Sequence, residues 1–195
     1  ISCSLVGSEM CIRDRIVDEA TEAGAEILLT CDNGIAANEE IRYAKEKGMT
    51  VIVTDHHEVQ EELPPADAVV DHKQEECGYP FKGLCGAGVA FQLIGALYEK
   101  EGISPDERED LLEYAAIATV ADVMELRGEN RGLVKSGLRA LEHTKNTGLR
   151  ALLEVQELSG KELEAYHIGF ILGPCFNAAG RIRLLYTSPS PRDCS

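Results

Sequence analysis

The sequence is poor in positive charge. Its 195 residues include 19 Lys and Arg against 34 Asp and Glu, which gives a formal net charge of −15 at pH 7. Because Lys and Arg supply most of the free energy of phosphate binding, this balance taken alone argues against a protein that wraps a polyanion. A nucleic-acid substrate would then need bound divalent cations, or a basic surface on a part of the protein outside this sequence.

Long apolar runs and a leader segment are also absent. No hydrophobic stretch approaches the length that spans a bilayer, and no charged-then-apolar segment with a small-residue cleavage site opens the chain. These absences favour a cytoplasmic protein with no membrane partner. The hydrophobic share of 44% beside 27% charged residues is typical of a globular chain.

Cysteine motifs are missing as well. The seven cysteines are odd in number and irregularly spaced, and no CxxC pair occurs. This pattern argues against a zinc knuckle and against a disulfide framework. We predict reduced thiols with mostly structural roles.

The two ends of the chain fit neither a helix nor a strand pattern. They read "ISCSLVGSEMCIRDR" and "RLLYTSPSPRDCS". One DNA segment, read on both strands, encodes "LVGSEMCIRDR" and "LLYTSPSPR", and it resembles a transposase-type sequencing adapter. We therefore predict non-native tails over 1–15 and 183–195, and an internal fragment of a native protein over 16–182.

Short apolar segments alternate with helical patterns in the first half. The predicted strands are "AEILLTCDNG", "MTVIVTDHH" and "ADAVVDHK", and helices are predicted over 16–24 and 37–47. This alternation predicts an α/β fold, with a parallel sheet covered by helices on both faces. From residue 84 the patterns are mainly helical and no linker appears, so we predict one compact unit. Functional residues in such a fold lie at the carboxyl ends of the strands.

The stretch "VIVTDHHEV" carries the strongest candidate site. Asp55, His56 and His57 follow a buried strand, and past its end the backbone is free to turn both imidazoles toward one cleft. Imidazole nitrogen and carboxylate oxygen together suit Mn²⁺, Fe²⁺ or Zn²⁺ better than Mg²⁺ alone. The alternative is a strand end closed by solvent-facing polar residues.

Two further acids are candidate ligands. Asp32 ends the neighbouring predicted strand, so its carboxylate would lie over the same sheet edge, although Asp-Asn-Gly is also a common turn former. Asp122 follows a run of small apolar residues, where an unpaired carboxylate would be costly, so a cation or donor partner is expected. The alternative for Asp122 is a helix-terminal residue.

Other polar residues have weaker signals. Asp71 and His72 close the third strand and are predicted to be structural or close to the substrate. His143 is predicted to lie on an exposed helix surface, and His167 to be a core or loop histidine.

Two small-residue motifs admit a phosphate-binding interpretation. Gly86 and Gly88 permit close backbone approach before a helix N-terminus, where an anion is favoured, but tight packing also requires small residues. Asn177 and Arg181 could offer an amide and a guanidinium to a phosphate, or belong to a structural turn.

Taken together, five blocks in this order resemble the DHH phosphoesterase superfamily and, within it, the RecJ family of single-stranded-DNA-specific exonucleases. Asp32-Asn33-Gly34 and Asp55-His56-His57 are similar to the second and third motifs of the superfamily. The RecJ-like blocks are "YPFKGLCGAGVAFQL", "TVADVMELRGENRGLVKSGL" and "GPCFNAAGR". The likeness covers essentially all of 16–182.

The resemblance implies a two-metal site that holds Mn²⁺ or Mg²⁺. Its implied metal ligands are Asp32, His56 and Asp122, with Asp55 as a further ligand or as a carboxylate behind them. His57 would face the scissile phosphate. The implied substrate contacts are Asn177, Arg181, Gly86 and Gly88. The chemistry would be metal-assisted hydrolysis, in which carboxylates are needed around the metals despite the polyanionic substrate.

The resemblance is incomplete. The Asp-rich first motif of the family is absent and would lie upstream of Ile16, and the DHHA1-type domain would lie beyond Ile182. Asp71-His72 stands where many relatives have Asn-Pro.

From this resemblance we predict that the parent protein is a 5′→3′ single-stranded-DNA exonuclease of recombination and repair. Single-strand-binding protein and a helicase are its candidate partners. The fragment itself is predicted to be inactive or nearly so. The alternatives are another DHH phosphoesterase, acting on nano-RNA, cyclic dinucleotides or pyrophosphate, and a non-catalytic replication scaffold.

Overall fold

The computed structural model describes the backbone of residues 10–181 and the side chains of residues 16–178. The described chain falls into two units: residues up to Cys77, joined by those from Asn177, form the first, and Gly78–Phe176 form the second. The strands are β1 (Ile27–Cys31), β2 (Thr50–Thr54) and β3 (Ala68–Val70). The helices are α1 (Met10–Glu22), α2 (Asn38–Glu46), α3 (Gly86–Glu101), α4 (Leu112–Ala121), α5 (Gly128–Glu142), α6 (Thr147–Val155), α7 (Ala165–His167) and α8 (Gly173–Arg181).

The first unit is built on a parallel three-stranded sheet in the order β1-β2-β3. Its register pairs Cys31 with Thr54, so β1 and β2 end at the same edge. The β-branched residues of β2 suit a pleated, buried strand, and Val51 and Val53 are fully buried. Their core partners come from α1, α2 and the turn before β2: Val17, Ala20, Ile41, Ala44 and Met49. The predicted α/β fold with a parallel sheet is confirmed.

Helix α1 begins inside the segment for which no helix was predicted. It starts at Met10, so that prediction is wrong for residues 10–15. Val17 and Ala20 anchor the helix in the core, and backbone hydrogen bonds then extend it toward the preceding residues at little cost, because propagation is easier than nucleation. Residues 1–9 and 183–195, the rest of the predicted tails, lie outside the described residues.

The second unit is helical, in agreement with the predicted helical part. Its core joins Ala116 of α4 to Leu133 and Leu141 of α5. Gly137 lets α4 and α5 approach closely, because a Cβ at that position would clash with Ala116 and with the Leu112 carbonyl. Among the described helices, none is both long enough and apolar enough to cross a membrane.

Two predicted elements of this unit differ in detail. Within the part predicted to be mainly helical, a 3₁₀ helix, Pro105–Leu111, precedes α4. Ser104 caps this segment by accepting a hydrogen bond from the Asp106 amide. The block "GPCFNAAGR" is helix α8 and not a turn, and α8 continues directly from a π-helical turn, Ile168–Leu172.

The cysteines follow the prediction of reduced thiols in the described part of the chain. Cys31, Cys77, Cys85 and Cys175 form no disulfide. Cys85 has a structural role, because its sulfur accepts a hydrogen bond from the Gly88 amide at the start of α3.

Candidate metal centre

Four side chains meet where β1 and β2 end. Asp32, Asp55, His56 and His57 each offer one ligand atom, and these atoms all lie within 4.8 Å of one another. The parallel register brings them together, because both strands finish at the same edge of the sheet. The structure thus gathers four of the five residues predicted to form the metal site.

Asp32 supplies the exposed carboxylate of the cluster. Its backbone is left-handed, with φ of 63°, and its amide donates to the Thr54 carbonyl at 3.0 Å. Aspartate tolerates this conformation better than most residues. The turn directs the carboxylate back over the sheet edge, where Oδ1 lies 3.0 Å from Nε2 of His56.

Asp55 is the buried carboxylate, only 1% exposed. Its Oδ2 accepts a hydrogen bond from the Ile35 amide at 2.9 Å. Its Oδ1 accepts from the amides of His56 and His57, at 2.7 and 3.3 Å, and lies 2.7 Å from Nδ1 of His57. Both oxygens are therefore engaged by the protein itself, which favours a positioning role over direct metal ligation.

These contacts hold Asp55 in its charged form. Burial raises the pKa of Asp55, but the hydrogen bonds from Ile35, His57 and His56 outweigh it, so the pKa lies below its ordinary value. A buried carboxylate that remains ionised keeps negative charge beneath the two histidines. That charge favours a cation at this edge.

The two histidines differ in exposure. His56 is buried, whereas the His57 side chain is 59% exposed. Their ring centroids lie 4.4 Å apart. Because Asp55 engages Nδ1 of His57, the Nε2 atom is left to face a ligand or substrate, as in carboxylate–histidine pairs of metal sites.

Three residues that support the site were not predicted. The Thr54 hydroxyl donates to the Thr30 carbonyl at 2.7 Å, and the Thr30 hydroxyl donates to the Asn33 carbonyl at 2.7 Å. These bonds tie the ends of the two strands to the loop that carries Asp32. A threonine near the end of each of two successive predicted strands was the sequence signal that could have identified Thr30 and Thr54. The contact of Ile35 depends on tertiary register, so the sequence carried no signal for it.

Asp71 and His72 are buried at the end of β3, outside the cluster of four described above. The Asp71 Oδ1 accepts from the Lys73 amide at 2.8 Å. Burial raises the pKa of Asp71, and the negative charge of Asp55 adds to the rise. These contacts fit the structural alternative of the sequence prediction.

Asp122, the remaining predicted metal ligand, lies in the second unit. It caps the C-terminus of α4, and its amide donates to the Ala118 carbonyl at 2.9 Å. The side chain is exposed, and its position fits the helix-terminal alternative of the sequence prediction. The preceding run of small residues is helical, and the helix ends at Asp122.

The predicted substrate contacts fall on two helices. Gly86 and Gly88 are buried in the first turn of α3, and a Cβ at Gly88 would meet Leu84 at 3.3 Å. Asn177 is exposed on α8, and Arg181 is the last described residue of the same helix. The close packing at Gly88 supports the structural alternative for that glycine.

Of the remaining histidines, His143 matches its prediction, whereas His167 ends the short helix α7 and is neither a core nor a loop residue. His143 is exposed at the C-terminus of α5. His167 is half-buried, and its Nδ1 accepts a hydrogen bond from the Glu164 amide at 2.9 Å. Both lie outside the metal cluster.

A comparison with known families decides the assignment. The DHH family, N-terminal domain, matches residues 6–119, which is more than half of the chain. This chain belongs to the DHH family. The family resemblance drawn from the motifs is thereby confirmed.

Several curated relatives of this DHH chain are named single-stranded-DNA-specific exonuclease RecJ. The single-stranded-DNA-specific exonuclease RecJ of Salmonella typhimurium is 40% identical over 177 residues, 86% of this chain and 31% of the relative. RecJ of Bacillus subtilis is 46% identical over 161 residues, 83% of this chain and 20% of the relative. The DHH chain spans less than a third of the length of these curated relatives.

Solved structures agree with the fold of this DHH chain. RecJ from Thermus thermophilus in complex with Mn²⁺ has a TM-score of 0.75 at 37% identity, over 90% of this chain and 27% of that one. An exonuclease RecJ bound to manganese has a TM-score of 0.76 at 38% identity, over 90% of this chain and 42% of that one. At 37% and 38% identity, these two structures support shared family membership as well as a shared fold.

Proposed function

We propose that this chain is part of a metal-dependent 5′→3′ single-stranded-DNA exonuclease that hydrolyses phosphodiester bonds in recombination and repair. The observation that carries the proposal is the cluster of Asp32, Asp55, His56 and His57 in a chain 40% identical to a RecJ exonuclease. The names of the relatives favour this activity over nano-RNA, cyclic-dinucleotide or pyrophosphate hydrolysis, and over a non-catalytic scaffold.

The donor set of the cluster fits Mn²⁺ or Mg²⁺. An exposed carboxylate of Asp32 stands 3.0 Å from a ring nitrogen of His56, and together they offer the mixed oxygen and nitrogen ligands that Mn²⁺ accepts. Asp32 and His56 would hold the metal, with Asp122 as a further ligand. Bound divalent cations supply an acidified water and offset the negative charge that develops on the phosphate.

The protein groups have separate tasks in this proposal. Asp55 remains ionised and orients the His57 ring through Nδ1. His57, whose side chain is largely exposed, faces the scissile phosphate with its Nε2 atom. Asn177 and Arg181 contact the DNA backbone, and Gly86 and Gly88 let the start of α3 approach a phosphate.

The proposal includes the extent of the native fragment. Residues 16–182 form a partial DHH domain, the tails over 1–15 and 183–195 are non-native, and the acidic first motif lies outside this sequence. The chain alone is then inactive or nearly so. The complete protein acts on DNA in the cytoplasm, together with single-strand-binding protein and a helicase.

Nucleotide release from 5′-phosphorylated single-stranded DNA in Mn²⁺ tests the activity. The complete parent protein should release nucleotides, lose activity in EDTA, and lose at least about 100-fold with His56→Ala, since a metal ligand is removed. Glu61→Gln replaces an exposed side chain outside the metal cluster and should leave the rate unchanged. Hydrolysis of cyclic dinucleotides or pyrophosphate without activity on single-stranded DNA would contradict the proposal. Robust turnover by the chain alone would contradict its inactivity.

A further inference from the structure

A basic groove lies on the second unit, along helix α5. It has a volume of about 740 Å³, and the large apolar side chains that line it are Leu126, Val134, Leu138 and Leu163. The basic side chains that line it are Arg131, Lys135, Arg139 and Lys161. In a chain with a formal charge of −15, four cations around one groove are a local reversal of the overall charge.

The spacing of the cations makes a continuous stripe. Arg131, Lys135 and Arg139 are four residues apart on α5 and therefore lie along one face of the helix. All three are exposed. Successive cations on such a face stand about 6 Å apart along the helix axis, a spacing close to that of phosphates in an extended single strand.

The cations of the groove lack carboxylate partners within residues 16–178. Elsewhere in the described chain, Lys45, Lys73 and Lys145 each pair with an acid. The groove contains two carboxylates, those of Glu142 and Glu162. Glu142 is engaged by the Leu163 amide, which donates to it at 2.8 Å. The lining therefore keeps a formal surplus of two positive charges.

An exposed aromatic pair follows the groove along the chain. Ala165 lines the groove, and the next residue, Tyr166, is 59% exposed. Its ring stacks on that of Phe170, with centroids 5.0 Å apart and planes inclined by 26°. Phe170 is 72% exposed and lies in a π-helical turn, Ile168–Leu172. Such turns are frequent at functional sites.

We propose that the groove and the aromatic pair of the second unit bind single-stranded DNA. Arg131, Lys135, Arg139 and Lys161 contact successive phosphates, and the Tyr166–Phe170 pair stacks on an unpaired base. A positive groove combined with aromatic platforms is the arrangement that binds single strands without sequence preference. This inference rests on the proposed function for its substrate class, and it also supplies the basic surface that the overall composition lacks.

Fluorescence anisotropy of a labelled single strand of about 16 nucleotides, titrated with the full chain in EDTA, tests the proposal. Lys135→Glu combined with Arg139→Glu should weaken binding at least about tenfold and flatten the salt dependence, by about 0.7 in log–log slope for each phosphate that is no longer neutralised. Tyr166→Ala combined with Phe170→Ala should weaken binding at least about fivefold and leave that slope unchanged.

Arg42→Glu is the matched control, because Arg42 is an exposed cation on α2 of the first unit. If the control weakens binding as much as the groove variant does, the groove is not the site. Equal displacement of the DNA by an acidic peptide would also overturn the proposal, as would absence of binding by the unaltered chain. If charge reversal unfolds the chain, as seen by circular dichroism, Lys135→Gln with Arg139→Gln should weaken binding in the same direction.

The assay separates this proposal from the proposed function. Binding is measured without metal and without turnover, so the state of the metal centre does not enter. If the groove variants bind normally while the parent protein remains an exonuclease, the groove inference fails alone. If the chain binds through the groove but the parent hydrolyses no DNA, the proposed function fails alone.

Discussion

Among single residues, Asp55 organises the metal centre, although Asp32 is the carboxylate more accessible to a metal ion. Four hydrogen-bond contacts converge on its two oxygens, from Ile35, His56 and both the amide and the ring of His57. Hydrogen bonds to a charged acceptor are the strong ones. The position of both histidines therefore depends on one buried charge.

Asp55→Asn is expected to destabilise the chain by about 3 kcal/mol, because the neutral amide turns a donor toward groups that already donate. The free energy of unfolding in urea measures the change. Glu61→Gln, an exposed neutralisation in the same unit, should change stability by less than about 0.5 kcal/mol. Equal effects of the two substitutions would show that the network contributes little.

Val123 carries backbone strain beside Asp122. Its φ is 56°, a left-handed conformation that costs a β-branched residue about 1–2 kcal/mol, and its side chain is 88% exposed. Val123→Gly should therefore stabilise the chain by about 1 kcal/mol, measured by urea unfolding. Val155→Gly replaces an exposed valine at the end of α6 and should be destabilising. A loss of stability in both variants would argue against strain at Val123.

At the scale of elements, the loop between β1 and α2 is fixed by a glycine. Gly34 has φ of +114°, and a Cβ there would lie 2.8 Å from the Thr30 hydroxyl and 3.1 Å from Cγ1 of Val53. Only glycine combines this conformation with this space. The loop then delivers the Ile35 amide to Asp55.

Gly34→Ala should cost about 3 kcal/mol, since conformational strain and a steric clash add. Gly48→Ala is the matched control: its φ is +85°, but nothing lies within 4 Å of its Cβ position, so only the conformational cost of about 1 kcal/mol remains. Thermal melting of the two variants gives the comparison. Equal losses would show that the space around Gly34 relaxes freely.

Asp67 links β2 to the segment that enters β3. The hydrogen bond from Lys45, followed by that from the Val51 amide, lowers the pKa of Asp67 below its ordinary value. A lowered folded-state pKa gives stability that is present above the unfolded pKa of about 4 and is lost as the pH falls through the folded value. The urea concentration at the midpoint of unfolding should therefore decrease as the pH drops below about 4, and Asp67→Asn should make this decrease smaller. If stability falls at acid pH to the same extent in Asp67→Asn, Asp67 is not the cause of that fall.

For the whole molecule, the alternation of apolar strands and helices was enough to predict the sheet, its parallel sense and the strand ends where Asp32, Asp55 and His56 meet. This succeeded because parallel connectivity alone places successive strand ends at one edge. Sequence patterns did not give the start of α1 or the exposure of Asp122. Both depend on where a helix stops being supported by its neighbours, which local periodicity does not encode. The Ile35–Asp55 contact spans 20 residues and depends on the final register.

Binding of a metal ion at the site should raise the free energy of unfolding of the chain. If Asp32 and His56 bind Mn²⁺ in this chain, a concentration ten times the dissociation constant should stabilise it by about 1.4 kcal/mol. Differential scanning fluorimetry would show the rise in melting temperature, and His56→Ala should abolish it. His143→Ala, which removes an exposed histidine of the second unit, should preserve it. A rise that survives His56→Ala would place the bound metal elsewhere.

The hydrogen bonds that hold Asp55 all come from residues 35–57 of the same chain, and none requires a bound ion. The protein itself therefore fixes the position of this carboxylate and of the His56 amide and His57 ring that it contacts. We expect metal exchange to be rapid and fully reversible, with the rate of exchange set by release of water from the incoming ion and not by refolding of the polypeptide.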